Sequence, residues 1–189
     1  MALLTEWIVS LPTWTIIRVS GLVSYGLLFV GICLGILYSL PFRLSWTKAL
    51  VYRLHTVTLG AGFFIGVGHA MLLVVDAYMP FGWKELLVPF AAANAPLWNG
   101  LGTLAEYGML VVFLTTDLKN VLGRRSWRML HMLAYPVFIM ALLHGIGVGT
   151  DTPSRAVQAL YGASGAIVLG LTVYRAGAAG RSKTQRMNA

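Results

Sequence analysis

Five stretches of mostly apolar residues follow one another along the chain, at about 14–40, 49–75, 98–118, 127–148 and 156–174. Each is close to or above the roughly 20 residues that an α-helix needs to cross a hydrocarbon core. Inside that core every backbone N–H and C=O must find a partner within its own segment, which leaves helices or a closed barrel. No alternating strand pattern or long repeat appears, so the expected fold is an all-α integral membrane protein with about five transmembrane helices. The chain is treated as one unit, 1–189. Its 58% hydrophobic and 11% charged composition leaves too little charge to cover a soluble surface of this size. Residues 1–13 are too short to span and are read as an interfacial segment. They show no basic start or small-residue cleavage site, so no cleavable signal is expected. The single Cys33 rules out a disulfide framework.

The net charge of +8 is not spread evenly. Arg43, Lys48 and Arg53 lie between the first two stretches or at the start of the second. Lys119, Arg124, Arg125 and Arg128 lie between the third and fourth or at the start of the fourth. Arg175, Arg181, Lys183 and Arg186 fall in a basic tail, 175–189. The other connections carry Asp76, Lys84, Glu85, Asp151 and Arg155, and Glu6 lies near the start. The positive-inside rule therefore predicts cytoplasmic basic loops and C-terminus, with the N-terminus outside. The charge is read as a topology signal with affinity for anionic lipid, not as a nucleic-acid surface. The connection 76–97 is the longest, and "KELLVPFAAANAPLW" is expected to hold a short interfacial helix stopped by Pro89 and Pro96. Trp83 and Trp98 are expected at headgroup level.

All four histidines lie inside predicted spans. His55 and His69 are on the second, His131 and His144 on the fourth, and these two spans run in the same direction. His55 and His131 sit near the basic end; His69 and His144 each precede an aspartate by seven residues at the other end. The histidines thus form two cross-helix pairs at matched depth, roughly 20 Å apart at about 1.5 Å per residue. Two imidazoles can hold one haem iron between helices, and two such haems would carry electrons through the membrane. Zinc is disfavoured, because ligands 13 and 14 residues apart on one helix cannot reach one ion. Proton relay by the histidines is a rival reading.

Gly60, Gly62, Gly66 and Gly68 surround the interval between His55 and His69. They would let a flat macrocycle approach the backbone, or allow ordinary close helix packing. Fourteen residues keep His55 and His69 on one face, whereas thirteen put His131 and His144 well off one face, with Pro136 between them expected to kink the helix.

The segment "GRRSWRMLHMLAYPVFIMALLH", residues 123–144, resembles the ferric reductase-like transmembrane domain. That superfamily includes ferric reductases, the membrane part of NADPH oxidases and the bacterial MsrQ-type haem proteins. The resemblance rests on Trp127-Arg128-x-Leu130-His131 with a second histidine thirteen on, on the His55/His69 pair, and on "HGIGVGTDT" at 144–152. It covers roughly residues 15–175. It implies two b-type haems with His55, His131, His69 and His144 as the iron ligands. It also implies electron flow from a cytoplasmic flavin reductase or a quinol to an extracytoplasmic acceptor such as ferric iron or dioxygen. Members often have six spans, against five here. The larger members carry flavin and nicotinamide domains after the last span. Here about 15 residues follow it and no G-x-G-x-x-G unit occurs, so a partner, a diffusible flavin or membrane quinol is expected to supply electrons.

Haem propionates need donors, and the candidates are Arg53, Arg128 and Trp127 near one pair and Arg155, Trp98, Thr150 and Thr152 near the other. Tyr25, Tyr107, Tyr135 and Phe138 are candidates to line haem faces, though aromatics in spans mostly pack. Glu106, inside the third span, is a functional candidate by position; the preferred expectation is an ion pair with Arg18. The leading expectation is a dihaem electron-transfer subunit of an oxidoreductase in the bacterial cytoplasmic membrane. The alternatives are an MsrQ-like haem subunit serving a periplasmic methionine sulfoxide reductase, a non-enzymatic proton or ion translocator, and a haem sensor or assembly factor.

Overall fold

A computed structural model describes residues 12–40 and 45–187, with side chains described for 12–40 and 46–178. The expected interfacial segment, Arg43 and the side chains of Arg181, Lys183 and Arg186 lie outside these residues. Among the described residues every regular element is a helix and no strand occurs. In chain order the helices are α1 Thr13–Tyr38, α2 Ser45–Val75, α3 Trp83–Leu87, α4 Pro96–Asp117, α5 Lys119–His131, α6 Ala134–Val148 and α7 Arg155–Met187. Five helical stretches are long and apolar enough to cross a membrane: Thr13–Tyr38, Trp46–Val75, Pro96–Asp117, Lys119–Val148 and Arg155–Ala178. The fourth is α5 followed by α6.

The helices extend further into the basic segments than the hydropathy pattern suggests. Lys48 and Arg53 lie within α2, the 119–126 connection is helical, and α7 runs through the basic tail. Lysine and arginine are good helix formers, so polarity ends the span without ending the helix. Within α5 the one break is Gly123, at φ 75°, ψ 156°, a conformation that side chains with a Cβ disfavour. The short helix expected in the connection 76–97 is present as α3. It stops at Val88, before Pro89. Pro96, expected as a stop, instead opens α4, where its missing N–H costs nothing.

The break between α5 and α6 falls at Met132–Leu133, four residues before Pro136. A helix would bond the Met132 carbonyl to the N–H at 136, which proline lacks. Tyr135 N–H donates to that carbonyl instead, at 3.2 Å, and Leu133 N–H donates to Leu130, at 3.0 Å. Such three-residue turns add about 20° of rotation per residue over an α-helix.

Helix α1 packs tightly along α2 and also meets α6 and α7, while α4 packs against α5 and α6. The core joins Tyr25, Leu28, Ile32 and Ile36 of α1 to Ala105 and Met109 of α4, Val137 and Phe138 of α6, and Tyr161 and Val168 of α7. The Tyr25 ring stacks on Phe138 at 5.8 Å and meets the edge of Tyr161 at 5.1 Å. Its hydroxyl shares a hydrogen bond with the buried Ser164. Tyr25 and Phe138 are therefore packing residues. Outside this core, large apolar side chains such as Phe64, Val57 and Leu169 stand exposed, as suits a surface solvated by lipid.

Two polar ties close the end opposite the basic segments. Arg18 bonds Asp151 through both a guanidinium Nη2 and Nε, the latter at 2.8 Å, and this contact holds the Asp151 carboxyl below the usual carboxylate range. Buried Asp76 accepts from the Thr13 hydroxyl at 2.5 Å and from the N–H groups of Tyr78 and Met79, fastening α1 to the turn after α2.

Candidate functional site: two histidine pairs

Helix α2 does not rank among the close backbone neighbours of α5 or α6, yet its histidine rings approach those of His131, at the end of α5, and His144, on α6, at two levels. The ring centres of His55 and His131 are 6.2 Å apart with planes at 69°. Those of His69 and His144 are 6.4 Å apart at 82°. On one uninterrupted helix, His144 would point about 140° away from His131. The break at Met132–Leu133 lies between them, and both rings meet their partners on α2.

Three of the rings are aimed by a hydrogen bond to a neighbouring helix. His55 Nδ1 bonds the Gly31 carbonyl at 2.7 Å, His69 Nδ1 that of Ile17 at 2.8 Å, and His144 Nδ1 that of Trp98 at 2.9 Å. A carbonyl only accepts, so each Nδ1 carries the hydrogen and each Nε2 is left with a lone pair. Metal-ligating histidines are held in this way, with one nitrogen donating to a backbone carbonyl. His131 differs. Its buried Nδ1 has no partner among the described residues, and its ring is stacked by Trp127 at 5.1 Å and 27°. The indole of Trp127 reaches Thr116 Oγ1 at 3.5 Å.

Glycines seat the bonded rings. A Cβ placed on Gly35 would stand 2.8 Å from His55 Cε1, one on Gly21 2.9 Å from His69 Cε1, and one on Gly102 2.6 Å from His144 Nδ1. These approaches are closer than carbon atoms tolerate, so only a bare backbone admits the rings. The sequence reading singled out other glycines. Gly62 packs against Leu27 and the backbone of α1, and Gly66 faces Glu106 and Ser24, whereas Gly68 has open space beside it and Gly60 has only Phe113 at 3.9 Å. Gly62 and Gly66 thus serve close contacts with neighbouring helices. A signal for the seats was present in the chain. Gly21 and Gly35 are fourteen residues apart, as are Ile17 and Gly31, matching the spacing of His55 and His69 on the antiparallel partner.

The expected propionate donors fall less neatly. Arg53 is exposed, two residues from His55, and Arg128 is exposed on α5, three residues from His131. Arg128, Arg124 and Arg125 line an open groove of about 610 Å³ with Met129 and Met132. Arg155 is exposed at the start of α7. The Thr152 hydroxyl donates to the Gly145 carbonyl. Trp98 packs its ring on Gly147. Among the aromatics, the Tyr107 hydroxyl donates to Leu87 and the Tyr135 hydroxyl accepts from Arg175 at 3.5 Å.

The expected Glu106–Arg18 ion pair is not formed. Asp151 holds Arg18, because Arg18 lies two turns nearer the helix end than the level of Glu106. Glu106 Oε1 is buried without a hydrogen-bond partner among the described residues.

No family model, curated protein or solved structure matches this chain. Among the described residues no three His, Cys, Asp or Glu side chains converge as a protein-only metal cluster would require. The converging units are pairs.

Proposed function

We propose that each histidine pair holds one haem b and that the chain is a dihaem electron carrier across a membrane. The observation that carries this is the spacing of the rings. Two imidazoles bound to one metal at about 2.0–2.1 Å each place their ring centres about 6.3 Å apart, allowing about 1.1 Å from nitrogen to ring centre. The pairs stand at 6.2 and 6.4 Å. The Nδ1 bonds that leave Nε2 free on His55, His69 and His144 support the same assignment. A proton relay would not call for pairs at a metal-bridging distance.

A haem at each level supplies a one-electron carrier. The chain's own part is to fix the rings: carbonyls of α1 and α4 orient three imidazoles, glycines admit them, and Trp127 backs the fourth. Arg53 and Arg128 are the cations nearest the basic-end pair in sequence, suited to propionates there, and Arg155 has that role at the far end. The basic segments orient the chain with its C-terminus in the cytoplasm and the His69/His144 pair toward the outside, in the cytoplasmic membrane of a bacterium. Electrons enter from a cytoplasmic flavin reductase or quinol and leave to an outer acceptor such as ferric iron or dioxygen. This is the arrangement implied by the resemblance to ferric reductase-like domains.

The test uses vesicles with trapped ferricyanide and an external low-potential reductant. Wild-type protein is expected to reduce the trapped acceptor, and His55→Ala and His69→Ala each to stop it. Transfer at the wild-type rate in either variant would contradict the proposal.

A further inference from the structure

Glu106 is placed in a polar layer directly beneath one of the histidine pairs. On α4 it follows Gly102, the seat of His144, by one turn; on α2 Gly66 precedes His69 by about one turn; on α1 Ser24 follows Gly21, the seat of His69, by about one turn. The three helices bring these positions together. A Cβ on Gly66 would stand 2.8 Å from Glu106 Oε2 and 3.0 Å from Ser24 Oγ. The carboxyl therefore lies about 5 Å inward of the His69/His144 level, between it and the other pair. Ser24 turns its hydroxyl to the Gly62 carbonyl, and Glu106 Oε1 accepts nothing.

Among the described residues this acid has no counter-charge. The group facing it from α1 is Ser24, with Arg18 further out and bound to Asp151. From α2 it meets the bare backbone of Gly66, with His69 a turn away. From α6 the titratable group is His144, also a turn away. From α5, packed on the far half of α4, Trp127 reaches only Thr116. Among the described residues neither a cation nor a hydrogen-bond donor steadies a carboxylate here, so its charge would respond to a change of charge at the neighbouring histidine pair.

We propose that Glu106 is a redox-linked proton-binding site, taking up a proton from water when the His69/His144 haem gains an electron. This rests on the haem reading above. With a haem bound there, a one-electron reductant would take its iron from ferric to ferrous and remove one positive charge from the neighbourhood of the carboxylate. The proton then joins a Glu106 oxygen to give the neutral acid, and both return on reoxidation. One electron and one proton move together, and no other bond changes.

The test is a spectroscopic redox titration of the haem-loaded protein with dithionite and mediators at several pH values. The His69/His144 haem is identified by its loss in His69→Ala. Its midpoint potential is expected to fall as pH rises, toward 59 mV for each tenfold change in proton concentration. The His55/His131 potential is expected to change less. Glu106→Gln should flatten the slope. Should that variant fail to load haem, redox-difference infrared spectra of glutamate-labelled wild type carry the test. A protonated-carboxyl band should grow on reduction and persist in Glu85→Gln. Haems bound with a pH-independent outer potential, a slope that survives in Glu106→Gln, or no such band would overturn this proposal alone. A chain that binds no haem would overturn the haem reading and this with it.

Discussion

Gly21 and Gly35 are small because histidine rings of the next helix lie where their side chains would be. Replacing either with leucine forces a ring off its seat and off its carbonyl bond. Gly21→Leu is expected to lose the His69/His144 haem and keep the other, halving haem per chain, and Gly35→Leu the converse. Gly26→Leu, on the same helix with nothing within 4 Å, is expected to keep both. A haem assay on the three purified variants checks this. Glu85 shows a different residue-scale effect, away from the spans. Its carboxylate accepts the N–H groups of Gly82 and Ala93 at 2.8 and 2.9 Å, which holds it below the usual range. A depressed carboxyl contributes its stability above its unfolded value, about 4.3, and loses it as pH falls through the folded value. Hydrogen exchange over 82–93, corrected for intrinsic rates, should therefore accelerate as pH drops below about 4. In Glu85→Gln this change with pH should be absent. The histidines were legible because imidazole is rare in spans and its depth can be counted from neighbouring charges. Their seats were harder to find, since a glycine shows its purpose only when the opposite helix is in register.

At the scale of elements, hydropathy located four of the five long apolar helices to within four residues at each end, while the fourth begins at Lys119 rather than 127. It did not show that helices continue through Lys48 and the 119–126 segment, because charge ends burial in lipid but not backbone hydrogen bonding. Proline 136 was visible, but the correction it brings to the His131–His144 phase depends on the turn at Met132–Leu133 and on tertiary packing. Pro136→Ala restores an N–H donor for the Met132 carbonyl and removes the ring that bars a helix from running on through this position. The variant is expected to draw α5 and α6 toward one continuous helix and to turn His131 or His144 away from α2. Haem content should drop by about one per chain although all four histidines remain, as a haemochrome assay would show. Two haems with unchanged spectra would mean that packing, not the proline break, sets the phase. The Glu106–Arg18 pair failed as an expectation for a related reason. Helical depth suggested proximity, but the loop after α6 brings Asp151 to the guanidinium first.

At the scale of the whole molecule, α1 packs along α2 and joins α4, α6 and α7 around Tyr25, while α2 meets His131 of α5 and His144 of α6 through two levels of facing imidazoles. The levels lie near opposite ends of the same two spans, so two carriers placed there would divide the crossing into shorter steps. The central claim is that each level holds one haem. The most direct measurement is a pyridine haemochrome determination on monodisperse protein expressed with sufficient haem. Two haem b are expected per wild-type chain, one in His69→Ala and one in His55→Ala, each with a sharp reduced alpha band. No haem, or one haem unaffected by either substitution, in protein that remains folded would contradict that claim.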